Sequence, residues 1–128
     1  MRFFNTEGPV VPEDHYSVPP LRRWDLPEVL ALIDRKKYFL LHAPRQTGKT
    51  TCLLALADHV NRAGHHRAVY ANLEPAQAAR ENVALGMTGI VQTIAAEAAW
   101  QIQDSTAEAL AREVLAEQAA TVALGQFL

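Results

Sequence analysis

The sequence predicts an α/β fold: two parallel-type strands with helices, followed by a helix-rich C-terminal half. Three observations carry that expectation. The segment "KYFLLHA", residues 37–43, is short, aromatic and aliphatic, and it lies between a charged turn and a proline, a pattern that suits a buried parallel strand. A short loop and an apolar-periodic helix pattern follow it at once, and a second strand pattern, "RAVYANL", comes next. Helix, strand, helix, strand is the order of an α/β arrangement.

Composition narrows the setting. At 128 residues the chain is the size of one ordinary domain, large enough to bury roughly two thirds of its unfolded surface. Twelve Lys plus Arg stand against fourteen Asp plus Glu, without blocks of one sign, so there is no nucleic-acid signal and no stripe for anionic lipid. The single cysteine, Cys52, excludes an intramolecular disulfide. The opening "MRFFNTEGPVVPEDHY" has no cationic start followed by an apolar core, and the uninterrupted apolar runs fall far short of the roughly 18 residues that span a bilayer. The expected location is cytoplasmic, with no membrane partner.

Five of the seven prolines fall between Pro9 and Pro27, so residues 1–25 read as a proline-rich, extended opening segment. Asp25 stands at an N-cap position and Pro27 in a first turn, and Leu26, Val29, Leu30 and Ile33 share one face, which predicts a helix from about Leu26 to Arg35. Strand one is "KYFLLHA". After the loop, Leu53, Leu56, Ala57 and Val60 recur at helical spacing, and Gly64 ends that helix. Strand two runs from Ala68 to Leu73. From Pro75 to about Gln103, Val83, Met87, Ile90, Val91, Ile94 and Ala98 form one stripe of a long helix, interrupted by Gly86 and Gly89. Ser105 and Glu108 make a capping box, and the last helix fades near Gly125.

The chemistry lies in the loop. Ala43, Pro44, Arg45, Gln46, Thr47, Gly48, Lys49 and Thr50 match the phosphate-loop (Walker A) pattern Gly-x-x-x-x-Gly-Lys-Ser/Thr everywhere except its first glycine. In such a loop successive N–H groups and the positive end of the following helix hold the anion. Gly48 allows the backbone close to phosphate, Lys49 reaches the β and γ phosphates, the Thr50 hydroxyl is a magnesium ligand, and Thr51 donates to the α phosphate. Ala43 disturbs this only if its position needs a positive φ. The plainer alternative is a chance Gly-Lys-Thr in an ordinary turn. A buried strand before the loop and an amphipathic helix after it are the context that separates the two.

With "FFNTEGP", "HYSVPP", "KYFLLHAPRQTGKTT" and "AVYANLE" in this order, the chain resembles the N-terminal part of bacterial ATP-binding proteins of the AAA-type ATPase group, from about Phe3 to Glu81. An alanine at the first loop position is familiar in that group. The resemblance implies an ATP and Mg2+ site. It also implies that His15, Tyr16 and Pro19 are candidates for packing near adenine, against the plainer reading that they only pack a chain terminus. For the complete protein it implies a ring-like homo-oligomer. Residues 26–128 are then expected to be the N-terminal part of an incomplete P-loop NTPase (AAA-type) domain, truncated before the strand that carries the Walker B carboxylate.

Hydrolysis needs a strand-end carboxylate to organise magnesium and a group to orient water. No segment of four apolar residues followed by an acidic pair occurs. Asp58, Glu81, Glu97, Glu108, Glu113 and Glu117 fall on predicted helices and read as solvated faces; Glu74, the only carboxylate just past a predicted strand, is the candidate for the catalytic role, although "YANLE" matches the acidic-strand pattern poorly. Cys52 reads as a buried structural thiol, His65 and His66 as a surface turn without metal-ligand spacing, Trp24 and Trp100 as packing residues, and Arg45 as an exposed loop side chain. Two functions compete: nucleotide binding as part of an ATPase, and a noncatalytic helical interaction fragment with a vestigial anion-binding loop.

Overall fold

Five α-helices and two short 3-10 helices make up the regular structure of the described residues: a 3-10 helix at Pro20–Arg23, α1 (Leu26–Asp34), α2 (Lys49–Ala63), a second 3-10 helix at Glu74–Ala79, α3 (Val83–Gln101), α4 (Thr106–Glu117) and α5 (Ala120–Phe127). The structure, a computed structural model, describes all residues except 5, 7, 9, 10, 12, 17 and 118 and the side chains at 120 and 121. The expectation of an extended opening segment rests in part on Pro9 and Pro12, which lie outside the described residues. The chain forms two compact units, Met1–His66 and Arg67–Leu128.

In the first unit, α1 begins where the sequence places it. The Asp25 carboxylate accepts from the Glu28 N–H at 3.2 Å, and the helix stops before Lys36, whose φ of +54° turns the chain. The helix α2 buries Cys52, Leu56 and Val60, one residue per turn along a single stripe, and ends at Gly64, whose φ is +79° and whose N–H donates to the Val60 carbonyl. The 3-10 helix Pro20–Arg23 packs on α2, and the Cys52 thiol points at the Pro20 carbonyl at 3.6 Å.

In the second unit, α3, α4 and α5 pack together around Val91, Ala95 and Ala111, with Leu115, Leu124 and Phe127 against that cluster. The long helix expected from Pro75 to Gln103 is broken. Arg80 takes a φ of +49°, and Asn82 caps a new start by accepting from the Leu85 N–H at 3.0 Å. At 19 residues and a mean hydropathy of 1.2, α3 has the length and composition of a membrane span. The start of α4 is tied by Asp104 rather than by the expected Ser105–Glu108 box: its carboxylate accepts from the Thr106 N–H at 3.1 Å and from the Thr106 hydroxyl. Those bonds come first in holding the Asp104 carboxyl below its ordinary value, with the Arg67 guanidinium adding to them. Trp100, expected as a packing residue, is 83% exposed.

Neither predicted strand forms, and no sheet exists among the described residues. The α/β class is therefore corrected, together with the incomplete P-loop NTPase (AAA-type) arrangement of two parallel-type strands: the described chain is helical. A strand is held by its neighbour's ladder, and apolar composition does not supply one. Tyr38 to Leu40 run without regular structure, with Tyr38 94% and Leu40 89% exposed. In the other segment a side chain takes the place of a neighbouring strand. The Tyr70 N–H donates to Gln101 Oε1 at 3.0 Å, and Gln101 Nε2 donates back to the Tyr70 carbonyl at 2.6 Å.

Candidate functional site

The loop is built by local bonds. The Thr47 hydroxyl donates to the Pro44 carbonyl at 2.7 Å, closing a turn in which Gln46 has a φ of +56° and Gly48 a φ of +83°. Ala43 is not among the residues of positive φ, so alanine at the first motif position costs no backbone strain. The Lys49 ammonium reaches back across the loop and donates to the Ala43 carbonyl at 2.8 Å and the Pro44 carbonyl at 2.6 Å. Because Gly48 is the N-cap of α2 and has no side chain, the first turn receives no side-chain oxygen from its cap, whose carbonyl accepts from the Cys52 N–H at 3.0 Å. Of the two features of context, the helix after the loop is present and the strand before it is absent.

The other candidates fall as follows. Thr50 is exposed, and Thr51 is half-buried and borders a cavity of about 200 Å³ together with Gly48, Tyr16, Val18 and Pro20. His15 is buried, but its ring serves the opening segment: Nδ1 accepts from the Val11 N–H at 2.9 Å, and Phe3 meets the ring edge-on with centroids 4.7 Å apart. That bond places the ring hydrogen of a neutral imidazole on Nε2. Pro19 accepts from the Arg22 N–H at 3.1 Å. Of the three adenine candidates, only Tyr16 borders that cavity. Arg45 is exposed and Cys52 buried, as expected.

Glu74 was a candidate because it ended a strand. It stands instead, exposed, at the start of a 3-10 helix in the second unit, with its N–H donating to Asn72 Oδ1 at 3.1 Å. His66 does have a carboxylate partner, Asp34, 2.9 Å away and 32 residues earlier in the chain. Among the described residues no three His, Cys, Asp or Glu side chains gather as a metal site.

Sequence reasoning missed Arg23. A Cβ built on Gly48 would stand 2.8 Å from its guanidinium nitrogen, so the cation lies against the loop backbone. Arg23 borders the cavity beside Thr51 and also a second one of about 240 Å³, shared with Lys49, Ala43, Thr47 and Trp24. Nothing local in "PLRRWD" announces this; it follows from the docking of the 3-10 helix on α2.

Compared with protein-family models, with curated proteins and with solved structures, the chain matches none.

Proposed function

We propose that the segment from Ala43 to Thr51 binds the phosphate chain of a nucleoside triphosphate, ATP, with Mg2+ at the Thr50 hydroxyl. The observation that carries the reading is the Lys49 ammonium folded over its own loop beside a glycine N-cap that offers the first turn of α2 no side-chain oxygen. A phosphate chain supplies acceptors for the Lys49 and Thr50 N–H groups and exchanges with two carbonyls for the ammonium. Gly48 has a φ of +83°, which side-chain-bearing residues resist, and the space a Cβ would take there is met by the Arg23 guanidinium.

Binding is the extent of the proposal. Among the described residues no strand-end carboxylate accompanies the loop, so turnover by this chain is expected near background, with magnesium and water left to solvent. The second reading is a noncatalytic helical module with an idle loop, and one observation favours it: the Lys49 ammonium finds two carbonyl partners within its own loop.

Thermal melting with magnesium ATP separates the two readings. At about a hundred times the dissociation constant, ATP adds roughly 2.7 kcal/mol to the stability of a binding-competent chain. A rise in melting temperature that Lys49→Ala abolishes supports the phosphate loop. No rise at millimolar nucleotide, in a sample shown to be folded, leaves the idle loop as the answer.

A further inference from the structure

Resting on that reading, we propose that Arg23 is the second cation of the site: it contacts the phosphate chain directly and, with Lys49, makes the site selective for polyphosphates.

The cavity of about 240 Å³ is bordered by Arg23 and Lys49 and, among the described residues, by no carboxylate. The neighbouring cavity of about 200 Å³ is bordered by Arg23 and again by no acid. Elsewhere in the first unit Arg62 pairs with Asp58 at 2.9 Å, while Arg22, Arg35, Lys36 and Lys37, exposed like Arg23, have no ion-pair partner among the described residues. The Arg23 guanidinium has no hydrogen-bond or ion-pair partner among the described residues. Two cations facing one concavity without a counter-charge repel, and an anion between them relieves the repulsion and is attracted by both.

Geometry adds direction. Arg22 and Arg23 are neighbours on one 3-10 helix, yet only Arg23 borders the cavities. Its guanidinium lies over Gly48, where the absence of a side chain lets a ligand and a cation meet the same stretch of backbone. Each cavity is smaller than the roughly 300 Å³ at which pockets for drug-sized ligands begin. A phosphate chain with its terminal groups in one cavity and the remainder beside Thr51 fits this division around a single guanidinium. The planar fork of arginine holds two phosphate oxygens at once, whereas the Lys49 ammonium acts as a point charge.

The test measures binding of magnesium ATP and of inorganic tripolyphosphate, which has no base, to the whole chain and to Arg23→Gln, Arg23→Lys and Lys49→Ala. Unliganded melting curves confirm that each variant is folded. Arg23→Gln is expected to weaken both ligands to a similar degree, by about ten- to hundredfold, the loss of one charge-assisted hydrogen-bonding group. Arg23→Lys keeps the charge without the fork and is expected to fall between wild type and Arg23→Gln. If ATP and tripolyphosphate bind Arg23→Gln as tightly as wild type while Lys49→Ala loses them, this inference fails and the phosphate loop stands. A loss confined to ATP overturns it as well, because Arg23 would then act on the base. If Arg23→Gln does not fold, Arg23→Lys decides: tripolyphosphate affinity equal to wild type overturns the proposal. Absence of binding by the wild-type chain overturns this inference and the phosphate loop together.

Discussion

Replacing Lys49 by Met removes the ammonium while keeping the length and the apolar stem of the side chain. From the sequence alone this side chain faces ligand rather than core, and its loss leaves the unliganded melting point nearly unchanged. The structure predicts otherwise. The ammonium donates at 2.8 Å to the carbonyl of Ala43 and at 2.6 Å to that of Pro44, joining residues six and five positions apart. A hydrogen bond involving a charged group is worth about 1.5–3 kcal/mol. Pro44 is exposed and water replaces much of its share, so the Ala43 bond carries most of a net loss of about 1–2 kcal/mol. The first unit, Met1–His66, is of the size for which 1 kcal/mol shifts a melting point by about 4–8 °C. Calorimetry without nucleotide should therefore show its transition falling by about 5–10 °C in Lys49→Met. Arg45→Met, at an exposed loop position, serves as the control and should change little. A Lys49→Met transition indistinguishable from wild type would refute the claim that this ammonium holds the loop closed.

Three further outcomes follow from the second unit. Asp104 has a carboxyl held below its ordinary value of 3.8, chiefly by the Thr106 bonds, so the folded state binds fewer protons than the unfolded one in that range. Its contribution is therefore present above about pH 4 and lost as pH falls through the lowered value, and melting curves across the acid range should show a flatter acid limb for Asp104→Asn. Gln101→Ala removes both partners of Tyr70 and should destabilise the unit by about 1–2 kcal/mol, with faster hydrogen exchange at the Tyr70 amide; unchanged exchange there would contradict the substitute-strand role. Val91→Ala, at a residue with 0% exposure, deletes two buried carbons and should cost about 2 kcal/mol by denaturant unfolding.

Much of the helical structure was legible in the residues. Asp25 before Leu26 and Gly64 after Ala63 are local signals, since a carboxylate oxygen at an N-cap and a glycine at positive φ act within a few residues of where they stand. The break after Ala79 was harder to see. The apolar stripe begins only at Val83, beyond it, and the short-range event that decides it, Arg80 taking a positive φ before Asn82 caps a new helix, has no strong sequence mark. The site was legible to the same depth: the loop and the helix it opens are consecutive in the chain, while Arg23 arrives 25 positions before Gly48 through packing.

What the sequence determined by itself is therefore local: the helix starts and stops, the Gly48-Lys49-Thr50 order that puts an ammonium and a hydroxyl on the first turn of α2, and the single buried thiol. The tertiary structure alone decided the fate of the two apolar segments read as strands. Composition favours an extended chain, but a strand exists only where a neighbour completes its hydrogen-bond ladder, and that neighbour is a matter of three-dimensional placement. At Tyr70 the completion comes from the Gln101 side chain, so the backbone groups are paired without the segment becoming part of a sheet. The partner of Gly48 was decided in the same way, because only the docking of Pro20–Arg23 on α2 brings a guanidinium to the one loop position without a side chain.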